Sequence, residues 1–171
     1  NLSGCTIALT NQSATSIALL NVLLRQAGIS DVTFVSSDRA EIVNSEAFLL
    51  IGDDALVFHT RMNHSSNLFV YDLGDLWYQR TGLPFVFALW IVRKDLPQDD
   101  EFQHSYHGFV QDVLWAKKEA VNHLAEIAAA SPLAGRLSED ELLAYWKKID
   151  YELDAAHLRG LECFRQLDLT S

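Results

Sequence analysis

The sequence is poor in cysteine, proline and positive charge. Its 171 residues include two cysteines and three prolines, and 13 lysines and arginines stand against 23 aspartates and glutamates, which gives a formal charge of −10 at pH 7. The two cysteines, Cys5 and Cys163, cannot build the disulfide framework of a small secreted domain. Because lysine and arginine form no cluster, the composition argues against nucleic acid and anionic membrane surfaces as partners.

Long apolar runs and targeting signals are also missing from the sequence. The longest apolar run, Phe85–Val92, has eight residues, far fewer than the roughly 18 to 20 that cross a bilayer. The first residues lack the basic start and apolar stretch of a secretory signal. We therefore expect a cytoplasmic protein without a membrane span.

Apolar residues are nevertheless plentiful, and their pattern in the first third of the chain is that of an α/β protein. Hydrophobic residues make up 49% of the sequence, enough to bury a core. Strands without polar alternation, joined by helices, are typical of a parallel sheet that is covered on both faces. The predicted elements are strands at Thr6–Thr10, Val32–Val35 and Ala47–Ile51, a helix that follows Ser13 and stops at Gly28, and a short helix or turn at Asp38–Ser45.

Beyond Gly52 helices and strands continue to alternate, and the pattern becomes all-helical only near residue 95. The predicted elements are a helix from Asp53 to about His59, a strand at Leu68–Tyr71, a helix at Gly74–Arg80 and an extended strand at Phe85–Val92.

From Glu101 onward the sequence has no strand signal. One long helix is predicted from Glu101 to just before Ser131. A capping box at Ser138–Glu141 starts a second helix that runs to Leu153 and, after an interruption near Gly160, resumes to Leu167. Such helices need a sheet to cover. Either the strands of the first half serve both halves, or a further sheet is encoded upstream of Asn1.

Two polar segments that follow predicted strands are candidates for ligand contacts. Ser13, Ala14, Thr15 and Ser16 place hydroxyl and backbone N–H groups at a helix N-terminus, which attracts anions. Asp53 and Asp54 follow the third strand and could position a hydroxyl or act as a general base. In open α/β sheets ligands bind at the carboxyl ends of strands. Most such residues are only helix caps, and on the sequence alone we expect capping without a ligand to be the role of Ser13 and of at least one of Asp53 and Asp54.

Other sites with a recognisable spacing find little support. Glu101, His104 and His107 resemble half of a di-iron motif, but the second half is missing, so a solvated helix face is the better interpretation and we expect no metal. Neither cysteine lies in a C-x-x-C pair. Glycine-rich dinucleotide and phosphate loops and the G-x-S-x-G nucleophile motif do not occur.

Several segments together resemble the chorismate dehydratase family of menaquinone biosynthesis. They are Leu2–Ser16, Leu50–Leu56 and Tyr71–Trp90, with Thr-Gly-Leu-Pro-Phe-Val-Phe-Ala at 81–88 in the last, and later Tyr151–Leu153 and the pair Gly160 and Phe164. A sister family that cyclises a later futalosine-pathway intermediate is expected to show a Pro-Leu-Gly type continuation at Leu83–Ala88 instead. The resemblance therefore favours the dehydratase.

The resemblance implies a fold like that of type II periplasmic binding proteins, with a ligand cleft between two α/β lobes that have parallel or mixed sheets. Residues 1–84 would form the second lobe. Residues 85–171 would supply a return strand and C-terminal helices to the first lobe, whose N-terminal part would be missing from this sequence. Because family members carry polar residues for the chemistry in that part, the catalytic base stays unassigned and this chain alone could be inactive.

The implied reaction is the loss of water from chorismate to give 3-[(1-carboxyvinyl)oxy]benzoate in the futalosine pathway, without a cofactor. Chorismate is a small dianion, so one of its carboxylates would bind at Ser13–Ser16, while Asp53 or Asp54 would line the cleft. Alternatives are a non-enzymatic binding protein for small anions with the same fold, the sister cyclase, and a stable remnant without activity.

Overall fold

The structure is a computed structural model, which describes residues 2–10, 13–36, 45–62 and 68–169. It is an α/β fold with a small parallel sheet. The strands are β1 (Thr6–Leu9), β2 (Thr33–Ser36) and β3 (Ala47–Leu49), and the helices are α1 (Ala14–Gln26), α2 (Gly52–Arg61), α3 (Leu73–Thr81), α4 (Asp100–Asn122), α5 (Leu124–Ala130), α6 (Glu139–Trp146) and α7 (Ala155–Leu169). The predicted segment 38–45 lies outside the described residues except for Ser45.

The chain divides into two compact units. The first contains the residues up to 88 and those from 153 onward, and the second contains residues 89–152. The closing helix α7 packs on α1 and so belongs to the first unit. The assignment of residues 1–84 and 85–171 to two lobes stays a prediction.

The sheet of the first unit has the order β2-β1-β3 with both pairs parallel, as the apolar strands predicted. In the register, Leu9 at the end of β1 pairs with Ser36 of β2 on one side and with Leu49 of β3 on the other. The central position of β1 explains why Ile7 and Ala8 are buried.

The core of the first unit consists of two apolar clusters that share α1. Ile7, Leu9 and Leu49 of the sheet pack with Leu24. Leu19, Val22 and Leu23 pack with Trp77 of α3. The ring of Trp77 meets those of Phe85 and Phe164 edge to face at 5.4 and 5.9 Å, so the aromatic residues of the segment 71–90 include core residues.

Two glycines fix how the segment after α3 packs on α7. Gly82 ends α3 in the left-handed conformation, with φ of 67°. Gly160 lies within α7, where a Cβ atom would stand 2.1 Å from the carbonyl oxygen of Pro84. The prediction of an interruption near Gly160 is therefore wrong: α7 is continuous, and the glycine lets the backbone at Pro84 approach it.

The second unit has a small core. Its buried apolar residues among those described are Ala128, Leu133, Leu137 and Leu142, around the contact of α5 with α6. The capping box of α6 is confirmed, since Ser138 Oγ accepts a hydrogen bond from Glu141 N at 3.3 Å and Ser138 N donates to Glu141 Oε2 at 2.7 Å.

Two helices predicted after residue 100 have different bounds in the structure. The long helix from Glu101 is divided at His123, whose φ of −120° and ψ of 22° are not helical, into α4 and α5. The helix from Ser138 ends at Trp146 and does not reach Leu153. Asp154 then starts α7 afresh, because its carboxylate accepts hydrogen bonds from Ala156 N and His157 N at 2.7 and 3.0 Å.

The strands predicted at Leu68–Tyr71 and Phe85–Val92 do not form within the described residues. Strand structure requires a hydrogen-bonded neighbour, and the described part of the chain places none beside either segment. Exposed side chains occur in both, with 87% of Phe69 and 89% of Ile91 accessible to solvent. Among the described residues, none of the helices is long and apolar enough to cross a membrane.

Candidate functional site

Both predicted ligand segments lie at the same edge of the sheet. α1 follows β1 and α2 follows β3, and these strands are parallel neighbours whose ends pair through Leu9 and Leu49. β1 connects through α1 to β2 on one side, whereas β3 lies on its other side. The carboxyl ends of β1 and β3 thus form the point of strand-order reversal at which ligands bind in open α/β sheets.

Ser13 caps the first of the two helices. Its φ of −151° is extended, and its Oγ accepts a hydrogen bond from Ser16 N at 3.1 Å. The same Oγ lies 3.1 Å from Ser16 Oγ, and Ser16 is buried, so these two hydroxyls hold the first turn together. Ala14 is exposed and Thr15 is half-buried, and their N–H groups, in the first turn, have no acceptor within the helix.

The second helix begins differently. Its N-cap is Ile51, which supplies no side-chain hydrogen bond, and Gly52 is the first helical residue. Asp53 and Asp54 lie inside the first turn, so the expectation that at least one of them is the cap is wrong. Asp53 is exposed and Asp54 is half-buried. Their negative charges lie at the positive, N-terminal end of the α2 dipole, where the interaction is favourable.

The N-terminus of α1 differs electrostatically from those of the other helices in the described part of the chain. Its first turn contains no acidic residue, and its cap is a serine. The remaining helices have a carboxylate in the first turn or at the cap; for example, Asp72 caps α3 and accepts hydrogen bonds from Gly74 N at 2.8 Å and Asp75 N at 3.1 Å. In a protein of charge −10, the N-terminus of α1 is therefore a helix end at which an anion would meet no carboxylate from the first turn.

The two helix starts offer complementary chemistry at neighbouring strand ends. The N–H groups and hydroxyl of Ala14 and Thr15 can donate hydrogen bonds to a carboxylate. The carboxylates of Asp53 and Asp54 can accept hydrogen bonds from a hydroxyl group. A small molecule that carries both groups is the kind of ligand that suits this edge.

The predicted helix face with Glu101, His104 and His107 does occur on α4. His107 Nδ1 lies 2.6 Å from the carbonyl oxygen of Gln103, one turn earlier. Within the described residues, no group of three or more histidine, cysteine or acidic side chains could hold a metal ion.

The turn at Thr81–Pro84 has a structural role that periodicity did not indicate. Thr81 Oγ1 donates to the carbonyl of Trp77 at 2.9 Å and accepts from Leu83 N at 3.1 Å, which fixes the turn before Pro84. The turn presents the Pro84 carbonyl to Gly160. In the sequence, the sign of this contact was Gly160, a glycine in the middle of an apolar helical pattern.

Comparisons with known proteins include the following two matches. A family model described as menaquinone biosynthesis matches residues 1–168. The chain is also similar to a chorismate dehydratase of Thermus thermophilus, with 33% identity over 175 aligned positions. The match covers 94% of this chain and 61% of the Thermus protein, so the chain spans about three fifths of the length of that relative.

Proposed function

Because the chain belongs to the menaquinone biosynthesis family, we propose that its natural polypeptide is a chorismate dehydratase, a carbon–oxygen lyase. The reaction would convert chorismate to 3-[(1-carboxyvinyl)oxy]benzoate and water. The observation that carries the proposal is the 33% identity to the Thermus chorismate dehydratase across 94% of this chain.

The sheet edge between β1 and β3 is the proposed substrate site. Chorismate has two carboxylates and a ring hydroxyl, and the N-terminus of α1 would receive one carboxylate at Ala14 and Thr15. Ser13 and Ser16 would hold this turn in shape through their mutual hydrogen bonds. Asp53 or Asp54, at the end of the neighbouring strand, would accept a hydrogen bond from the hydroxyl group.

Dehydration breaks one ring C–H bond and one ring C–O bond, and the proton and hydroxide leave as water. The product ring is aromatic, so the substrate itself supplies the driving force. The protein then has to orient the ring and direct proton movement, which positioned polar groups do without a cofactor.

We further propose that the fold is of the type II periplasmic-binding-protein kind, with two lobes around the site, and that the protein works in the cytoplasm. The parallel sheet with a strand-order reversal between β1 and β3 supports the first part. A biosynthetic family and a content of two cysteines support the second.

The reaction is tested by incubating the natural polypeptide with chorismate and following both compounds by mass spectrometry. We expect chorismate to disappear and a product lighter by one water to accumulate. Recovery of unchanged chorismate together with reversible binding of another small anion would favour the binding protein over the enzyme. Conversion of a later futalosine-pathway intermediate instead would favour the sister cyclase.

The site is tested by Thr15→Val, which keeps the side-chain shape and removes the hydroxyl. A hydrogen bond to a charged group contributes about 1.5–3 kcal/mol, so we expect chorismate to bind roughly tenfold or more weakly in calorimetric titrations. Thr33→Val is the matched control, because Thr33 is exposed at the amino end of β2, the opposite edge of the sheet. Equal affinities of both variants would mean that the Thr15 hydroxyl does not contact the substrate.

A further inference from the structure

Three polar side chains are buried in the described part of the chain. They belong to Thr10, Ser16 and His157, which are 7%, 7% and 9% exposed. Thr10 directly follows β1 and Ser16 lies in the first turn of α1, so both lie at the sheet edge of the proposed substrate site. His157 lies far along the chain, in the first turn of α7. Because the burial of a polar group is costly, the position of His157 relative to this edge matters.

The direction of α7 is the same as that of α1. Near the C-terminal ends of the two helices, Arg25 Nη2 donates a hydrogen bond to the carbonyl oxygen of Leu167 at 2.8 Å. Side chains that precede these two residues pack in one cluster, namely Leu19, Val22 and Leu23 of α1 with Cys163 and Phe164 of α7. In an antiparallel pair, the α7 residues before Leu167 would lie beyond the end of α1. The two helices are therefore parallel, and their N-termini lie at the same end of the first unit.

Equal steps back from this contact lead to the proposed site. Thr15 is ten residues before Arg25, and His157 is ten residues before Leu167 (25 − 15 and 167 − 157). At 1.5 Å per residue, both lie about 15 Å from the contact. The axes of packed helices are about 8–10 Å apart, and helical side chains tilt toward the N-terminus of their own helix. His157 is therefore level with Thr15, and both side chains tilt toward the same edge.

Asp154 holds the ring of His157 in one orientation. His157 Nδ1 lies 2.9 Å from Asp154 Oδ1, which also accepts hydrogen bonds from His157 N and Ala156 N at 3.0 and 2.7 Å. These hydrogen bonds, first of all that from His157 N, hold the pKa of Asp154 below its usual value, so this carboxyl group is ionised near neutral pH. An ionised carboxylate only accepts hydrogen bonds, so Nδ1 carries a proton. A protonated ring then has a second donor at Nε2.

The proposed substrate requires a cation of this kind. Chorismate has two carboxylates, and the N-terminus of α1 would receive only one of them. In a protein of charge −10, the second carboxylate needs local positive charge. The arginines described in the first unit are hydrogen-bonded elsewhere, lie at the far end of a helix that starts at the site, or are exposed: Arg25 and Arg165, Arg61, and Arg80 and Arg159, respectively.

We infer that the second carboxylate of the substrate binds the protonated ring of His157, which then lies between two carboxylates, with that of Asp154 at Nδ1 and that of the substrate at Nε2. The inference rests on the proposed function, because it takes chorismate as the ligand. It makes Asp154 a positioning residue of the site. The competing role of His157 is a structural one, as the third residue of α7, which completes the start of the helix.

The test compares chorismate binding by the natural polypeptide and by its His157→Gln variant in calorimetric titrations. Glutamine is favoured as the third residue of a helix, because its side chain reaches back to the backbone N–H of the cap, so the start of α7 is kept. Loss of the charge-assisted hydrogen bond should weaken binding at least about tenfold. His107→Gln is the control, because His107 is an exposed histidine of α4, and it should bind chorismate like the parent. Unchanged affinity of His157→Gln, or equal weakening by both variants, would overturn the inference.

Nitrogen NMR of the labelled histidine rings tests the charge without any substitution. In the complex with chorismate, we expect both ring nitrogens of His157 to be protonated. The product keeps both carboxylates, so turnover during the measurement does not remove the contact. An unprotonated nitrogen in the His157 ring of the saturated complex would overturn the inference.

The outcomes separate this inference from the proposed function. A polypeptide that binds chorismate through His157 without converting it would count against the proposed reaction alone. Conversion of chorismate with the affinity of His157→Gln unchanged would count against the inference alone. Absence of chorismate binding by the parent would overturn both.

Discussion

Gly160 is the position at which one added methyl group has the most direct structural consequence. A Cβ atom there would stand 2.1 Å from the carbonyl oxygen and 3.3 Å from the carbonyl carbon of Pro84. Both atoms belong to the backbone, so no side-chain rotation relieves the contact. Relief would require the segment at Pro84 to retreat from α7 by roughly 1 Å, given carbon contacts of about 3.5 Å.

Two effects of Gly160→Ala oppose each other. Alanine is favoured over glycine within a helix by roughly 0.8–1 kcal/mol. Overpacking of a close contact costs about 1–3 kcal/mol and occasionally more. The cost here belongs at the upper end, because a retreat of Pro84 also displaces Phe85, whose ring meets those of Trp77 and Phe164 at 5.4 and 4.9 Å. We expect a net loss of about 2 kcal/mol in the free energy of unfolding, or roughly 4–8 °C in Tm.

Urea denaturation followed by circular dichroism measures this change. Gly108→Ala is the control, because Gly108 lies in α4 with nothing within 4 Å of its Cβ position, and this variant should gain about 0.5–1 kcal/mol from helix propensity. If Gly160→Ala were as stable as the parent while Gly108→Ala showed its gain, the close approach of Pro84 to α7 would be refuted.

Three further changes have definite expected outcomes. Ser13→Ala removes the cap of α1 and should cost about 1 kcal/mol of stability in a urea titration, and an unchanged midpoint would mean that Ser13 does not hold the first turn. Trp77→Ala empties a fully buried site between α1, α3 and α7 and should cost about 3–5 kcal/mol, whereas a loss below about 1 kcal/mol would contradict its place in the core. Hydrogen bonds from Arg165 and Gln166 lower the pKa of Glu162 from its ordinary 4.5 to about 2. The ionised Glu162 therefore contributes stability above pH 4.5, and this contribution is lost as the pH falls toward 2. NMR titration should give the low pKa, and Glu162→Gln should flatten this part of the pH dependence of stability.

The parts of the fold predicted from the sequence were those that local pattern determines. Unalternated strands joined by a helix predicted the parallel sheet, and the serine and glutamate at 138 and 141 predicted a capping box that the structure contains. The order β2-β1-β3 was not predictable, because strand order depends on contacts between distant segments. The same reason explains why the strand predicted at Phe85–Val92 does not form. Its apolar sequence suits a strand, but the described residues place no neighbouring strand beside it.

The candidate site, like the fold, was only partly predictable from the sequence. The sequence located Ser13–Ser16 and Asp53–Asp54 at strand ends, but only the register of Leu9 with Leu49 places the two segments at one edge. In the structure α2 begins at Gly52, whose φ of 57° lies in the left-handed region that glycine adopts readily, and both aspartates lie in the first turn rather than at the cap.

The proposed substrate site is tested most directly by an amide NMR titration of the natural polypeptide with chorismate. We expect the largest shift changes at Ala14 and Thr15, with smaller changes at Asp53 and Asp54, because the two helix starts share one edge of the sheet. Thr15→Val should reduce these changes at the same chorismate concentration. Shift changes confined to other parts of the chain, with these four amides unaffected, would contradict the proposed substrate site.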